Sequence, residues 1–151
     1  MPRFSKLKKR IESLFHPDLD LKVYCNTYYK GGCFICKSHP RFWIVFNKEI
    51  IFDFIKDFMD LRIPDPENKF MWESGGRHVY YQDISNINCM VAKYIEVPKD
   101  KIFDHAFPDD YFGLTDILKA ADRRIGKKRL LILRNKTQSE SAKKVIEARF
   151  S

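Results

Sequence analysis

Cys33-Phe34-Ile35-Cys36-Lys37-Ser38-His39 is the stretch of this 151-residue chain whose residue types come closest to a ligand set. A Cys-x-x-Cys pair with a nearby histidine is how soft donors close on tetrahedral zinc, and a structural site needs four of them. Cys25 and Cys89 are the other thiols. No second paired motif accompanies the first, and Phe34 and Ile35 read as strand residues, which turns Cys33 and Cys36 to opposite faces. Cys33, Cys36 and His39 are therefore weak metal candidates; structural thiols are the better reading, and no cofactor is expected. A redox dithiol needs its first cysteine at a helix start, and nothing after Cys33 supplies one.

Pro64-Asp65-Pro66-Glu67-Asn68-Lys69 holds two carboxylates and a lysine of the kind that grips magnesium in nucleases. That chemistry draws its acids from separate strands so that they converge on one ion. Compressed beside two prolines, they read as a solvated loop. Asp53 and Asp57 are four apart, a common surface spacing, and His16, His39, His78 and His105 are scattered. The chain has no Ser/His/Asp set, no Gly-rich phosphate loop and no dinucleotide fingerprint.

Charge is the strongest remaining signal. Gly113 to Ser151 carries 11 bases against 4 acids, and Met1 to Glu12 carries five against one, so the positive charge of a chain with net +8 sits at its two ends. The segment between them is left at −3. Such asymmetry acts on steering and on attraction to polyanions, not on fold. Lys119, Arg123, Arg124, Lys127, Lys128, Arg129 and Arg134 are the candidate binding residues, for nucleic acid first and for an acidic partner protein second. The expected function is non-enzymatic binding of a polyanion. An immunity-type module that neutralises an acidic protein is the alternative, and an enzyme with no recognisable linear motif is the second.

Other features bear on the partner. Tyr24, Tyr28 and Phe34 beside Lys22, Lys30 and Lys37 have the interleaving of a base-stacking platform, although tyrosines alternating along a strand serve packing equally well. Leu114 to Leu133 has the outline of a helix-turn-helix about Gly126. Against it, Leu130, Leu131, Ile132 and Leu133 read as buried core, while a recognition helix needs an exposed polar face. A membrane-surface role for the first helix competes with its docking on the sheet, which is favoured. No run of 18 apolar residues spans a bilayer and no secretory signal opens the chain, so a cytoplasmic protein with reduced thiols is expected.

Several elements must position these residues. Phe4, Leu7, Ile11, Leu14 and Phe15 recur at helical spacing until His16-Pro17. From Asp20 the period becomes two: Leu21, Val23, Cys25 and Thr27 alternate with Lys22, Tyr24, Asn26 and Tyr28. Lys30-Gly31-Gly32 then turns into a strand at Cys33 to Lys37. Phe42 to Phe46 and Ile50 to Phe54 form a hairpin about Asn47-Lys48-Glu49. Phe70 to Trp72 pairs with His78 to Tyr81 across Ser74-Gly75-Gly76. Asp83 caps a helix with Ile84, Ile87, Val91, Tyr94 and Ile95 on one face.

Beyond Pro98 come a short helical turn and then the cleanest stripe, Leu114, Ile117, Leu118, Ala121 and Ile125, stopped by a left-handed Gly126. Lys127 to Leu133 is helix or strand, with helix preferred. Thr137 and Glu140 form a capping box for a last helix.

Arg41-Phe42-Trp43-Ile44 through Glu49-Ile50-Ile51-Phe52-Asp53-Phe54, with Asp122-Arg123-Arg124-Ile125-Gly126-Lys127, resembles a small family of uncharacterised bacterial proteins. The resemblance implies a bacterial, cytoplasmic setting and transfers no activity. With 44% hydrophobic residues the chain closes one core over 1–151. The expected fold is α+β: an N-terminal helix, an antiparallel meander of four to six strands, and C-terminal helices packed on the sheet.

Overall fold

The computed structural model describes residues 4–26, 41–53, 79–108, 110 and 113–151. In chain order these form α1 (Phe4–Ser13), β1 (Leu21–Asn26), β2 (Arg41–Phe46), β3 (Glu49–Asp53), α2 (Val79–Glu96), α3 (Leu114–Ala121), α4 (Lys127–Lys136) and α5 (Glu140–Phe150). The protein is α+β, with three antiparallel strands in the order β1-β2-β3 among the described residues, where four to six were expected. The strand expected at Cys33 to Lys37 and that at Phe70 to Trp72 lie outside the described residues. The sheet seats β2 directly beside β1, Val23 opposite Ile44 and Tyr24 opposite Trp43.

Strand alternation does what a half-buried sheet requires. Leu21, Val23, Phe42, Ile44, Phe46 and Phe52 are buried on the inner face, while Lys22 is exposed and Tyr24 and Trp43 are half-buried on the outer one. Phe46 and Glu49 are joined by Asn47 and Lys48, whose φ values of 50° and 69° are both left-handed. That is a two-residue turn of the mirror-image type that matches strand twist. A register shift between Ile44 and Val45, which pair with Phe52 and Ile50, leaves Ile51 as the extra, bulged residue of β3.

α1 packs on β1 and α2 through Leu7 and Ile11, with Phe4 edge-on to Phe42 at 6.0 Å. Docking on the sheet thus accounts for the apolar face of this helix. Its polar side also acts on the sheet: Lys8 Nζ donates to Val23 O at 2.6 Å, and Val23 N donates to Glu12 Oε2 at 2.9 Å. The two side chains are themselves paired at 2.7 Å.

Three expected boundaries are corrected. Residues Val79 to Tyr81 open α2 and are not a strand, so Asp83 lies inside the helix and not at its cap. Strand propensity in Val79-Tyr80-Tyr81 yields to the helical pattern that follows, with Val91 and Tyr94 buried. Gly126 has φ −84° and ψ 173°, an extended residue at the start of α4; it does not stop α3, which already ends at Ala121. Ile125 is buried from the turn instead. The cap of α5 is Ser139, whose Oγ accepts from Ala142 N at 3.0 Å. Thr137 Oγ1 donates to Asp116 Oδ2 at 2.6 Å, linking the α4–α5 turn to α3.

One buried cluster unites the sheet, α1, α2 and the three C-terminal helices. The expected stripe Leu114, Ile117, Leu118 and Ala121 is buried as read. In Leu130 to Leu133 only the first and last are buried; Leu131 and Ile132 are 46% and 44% exposed, which corrects the expectation of continuous core.

Candidate functional site

The turn between α3 and α4 divides the basic residues into two populations. At its start Asp122 is fully buried, and an isolated buried carboxylate is tolerated only with charge-assisted partners. Arg124 supplies a fork: Nη2 donates to Oδ2 at 2.7 Å and Nε donates to Oδ1 at 2.9 Å. Tyr94 Oη donates to Oδ2 at 2.7 Å. Burial, reinforced by the adjacent Asp122 charge, pushes the Tyr94 hydroxyl well above its ordinary pKa. The hydrogen bond to Asp122 raises the already high pKa of Arg124.

The same turn is held from two further sides. His16 N donates to Ala121 O and Arg123 N to Leu14 O, both at 2.7 Å, forming a bridge to the end of α1. Arg149, from α5, donates to the carbonyls of Ala120, Asp122 and Ile125 at 2.9–3.1 Å. Burial lowers the pKa of Arg149, yet three acceptors keep its guanidinium occupied. Lys119 is 9% exposed and donates to Phe103 O and His105 O. Burial lowers its pKa, opposed by the charges of Asp116, Asp104 and Asp110.

The candidate residues therefore separate. Lys119 and Arg124 hold buried or half-buried polar groups. Arg123 is exposed, with Nε donating to Ser13 O at 3.0 Å. Lys127, Lys128 and Arg129 are exposed and open α4, which has no acid in its first turn and no side-chain cap. Arg134 is paired with Glu147 at 2.9 Å on the flank facing α5. The groove there, lined by Arg134, Asn135, Glu140, Lys143, Lys144 and Glu147, mixes both signs, and Lys143 is paired with Glu140.

Sequence reasoning missed the Asp122 hub and the role of Arg149, since Tyr94 and Arg149 stand 28 and 27 residues away and no spacing rule links them. The nearest signal was the Asp-x-Arg of Asp122 and Arg124. It had likewise no means of finding Asp110, whose Oδ2 accepts from Thr115 N and Oγ1 at 2.8 and 2.5 Å.

Cys33, Cys36 and His39 lie outside the described residues, as do Tyr28, Lys30, Phe34 and Lys37 of the stacking platform. Tyr24 is stacked on Trp43 at 5.4 Å, with Lys8 over its ring at 4.3 Å. Among the described residues no group of three His, Cys, Asp or Glu side chains is placed to hold a metal ion. Cys25 is half-buried, and burial pushes its thiol up to about 11, partly offset by a hydrogen bond with Asn88; Cys89 is exposed. No helix among the described residues is long and apolar enough to cross a membrane.

Fold and site define an α+β protein whose most basic helix starts from a rigidly held turn. The chain belongs to the SF0329 protein family, whose sequence model matches residues 3–150. The block Asp122 to Lys127, one of the two that carry the family resemblance, is this turn. No curated protein and no solved structure matches the chain.

Proposed function

We propose that the protein is a non-enzymatic binding module of the bacterial cytoplasm whose C-terminal helical surface engages a polyanion, with nucleic acid as the partner. The observation that carries this reading is the start of α4. Lys127, Lys128 and Arg129 stand exposed there, with no acid in the first turn and no side-chain cap on its amides. Bases in this position oppose the helix dipole, which costs helix stability. The same arrangement adds the positive end of the dipole to three cationic side chains, which favours phosphate.

Lys119, Arg124 and Arg149, bound to internal acceptors, drop out of the surface, and the surface narrows to Arg123, Lys127, Lys128, Arg129 and the outer face of α4. Neutralising phosphates releases condensed counterions, so binding must weaken steeply with salt. Retention on heparin and on a random-sequence oligonucleotide at two ionic strengths tests this. No retention at low salt removes the reading.

A further inference from the structure

Among the described residues one side of α4 is free. Its buried stripe is Leu130 and Leu133, continued by Thr137. Along one flank Arg134 is tied to Glu147 and Lys127 lies over the Phe150 ring at 5.8 Å; along the other, Arg129 lies over Phe103 at 5.4 Å. Lys128, Leu131, Ile132, Asn135 and Lys136 remain, all exposed and neighbours at spacings of three and four, with Asn135 at the rim of the α4–α5 groove. Leu131 and Ile132 are two of the four large apolar side chains left exposed among the described residues. Neither Lys128 nor Asn135 has a hydrogen-bond or ion-pair partner among them.

Phosphate gives no account of two aliphatic side chains at the centre of a basic face. Base edges do. In the major groove the thymine methyl takes apolar contact, asparagine pairs with adenine N6 and N7, and lysine reaches guanine O6 and N7. An α-helix with its side chains is about 10–12 Å across and fits a groove about 12 Å wide. Double-stranded RNA offers neither feature, since its major groove is deep and narrow and uracil lacks the methyl. An acidic protein with an apolar groove would also meet Leu131 and Ile132, but an adenine edge presents in one fixed plane the donor and acceptor that the Asn135 amide pairs with.

Resting on the polyanion reading, we infer that α4 reads thymine-containing B-form DNA from the major groove. Lys128, Leu131, Ile132 and Asn135 meet base edges, while Lys127, Arg129 and Lys136 meet phosphates on the groove walls. The full chain is used to select from a pool of random-sequence DNA duplexes. Binding is then measured by fluorescence anisotropy on the enriched duplex, on its uracil-for-thymine version and on the RNA duplex of the same sequence. Uracil replacement weakens binding about fourfold for each thymine methyl that packs on Leu131 or Ile132, and RNA binds about tenfold or more weaker. Leu131→Ala with Ile132→Ala keeps salt-dependent binding and no longer distinguishes thymine from uracil.

If no sequence is enriched, if the unaltered chain binds thymine and uracil duplexes alike, or if RNA binds as well as DNA, the inference falls and the polyanion reading stands. Equal binding to poly-glutamate returns the face to an acidic protein and also overturns it. If neither duplex nor heparin is retained at low salt, both fall.

Discussion

The hydroxyl of Tyr94 donates to the fully buried carboxylate of Asp122 at 2.7 Å, joining the long helix α2 to the turn from which α4 springs. Arg124 completes the pairing within the turn itself. Asp122→Ala strands the Arg124 guanidinium and should cost about 3–5 kcal/mol. Tyr94→Phe removes one charge-assisted hydrogen bond and should cost about 1.5–3 kcal/mol. Urea unfolding of both single variants and the double one checks this; the double should fall short of the sum, because the hydroxyl has no partner once Asp122 is gone.

Arg149 and Arg134 belong to the same basic segment and do different work. Arg149→Ala abandons three carbonyls and should lower stability by about 2 kcal/mol. Arg134→Ala breaks a solvent-exposed ion pair and should change it by less than about 0.5 kcal/mol. Equal effects in thermal unfolding would contradict the division of the basic residues into those that hold the turn and those that face solvent.

Lys127→Ala, Lys128→Ala and Arg129→Ala combined should leave the fold intact and change its stability by less than about 1 kcal/mol, since removing charge that opposes the α4 dipole offsets the loss of the Lys127–Phe150 and Arg129–Phe103 ring contacts. The slope of log affinity against log salt for DNA should fall by about 0.9 for each phosphate no longer neutralised. Adding Arg124→Ala to this set would confuse the result, since that side chain supports Asp122.

Asn47 and Lys48 both occupy the left-handed region, which a residue with a Cβ enters at a cost. Lys48→Gly relieves that cost in a turn for which Asn-Gly is the preferred pair, and should stabilise the protein by roughly 0.5–1 kcal/mol. A lower midpoint of urea unfolding would refute the assignment of strain to this turn.

Cys25 sets an alkaline limit. Its thiol is raised from 9.0 to about 11 by burial, so above pH 9.0 the folded state keeps a proton that the unfolded chain has released. Stability from this group is full below pH 9.0 and is lost as pH rises towards 11. Tyr94 acts in the same sense from about 10 upward; Lys119, lowered by burial, acts in the opposite one. Stability should drop by about 1–2 kcal/mol on this account, and Cys25→Ala should flatten the pH profile by that amount. An unchanged profile assigns the loss to Tyr94 alone.

The parts of this fold legible in the sequence are those where periodicity decides. Leu114, Ile117, Leu118 and Ala121 repeat at helical spacing, and Leu21 and Val23 alternate, because one face of each element must be buried whatever lies against it. Leu130 to Leu133 shows where this fails. Four consecutive apolar residues carry no phase, so only the placement of α5 and Phe103 decides that Leu131 and Ile132 face outward. Gly126 fails for another reason, since a residue without a Cβ serves a helix start as easily as a helix end. Asp122 reads in sequence as one acid diluting a basic tail, and only the spacing to Arg124 hints at its pairing in the core.

Among the described residues β1 is an edge of the sheet, and Lys8 and Glu12 close it at Val23. A strand at the margin of a sheet normally offers an N–H and a C=O to whatever extended chain arrives. At Val23 both are already taken by a cation and an anion one helical turn apart, which present donor and acceptor much as a peptide unit would. The helix thus stands in for a neighbouring strand at this residue, and an approaching chain would have to break an ion pair before it could form its first hydrogen bond there. Resistance to edge-to-edge growth at β1 is in this way built from two residues of α1.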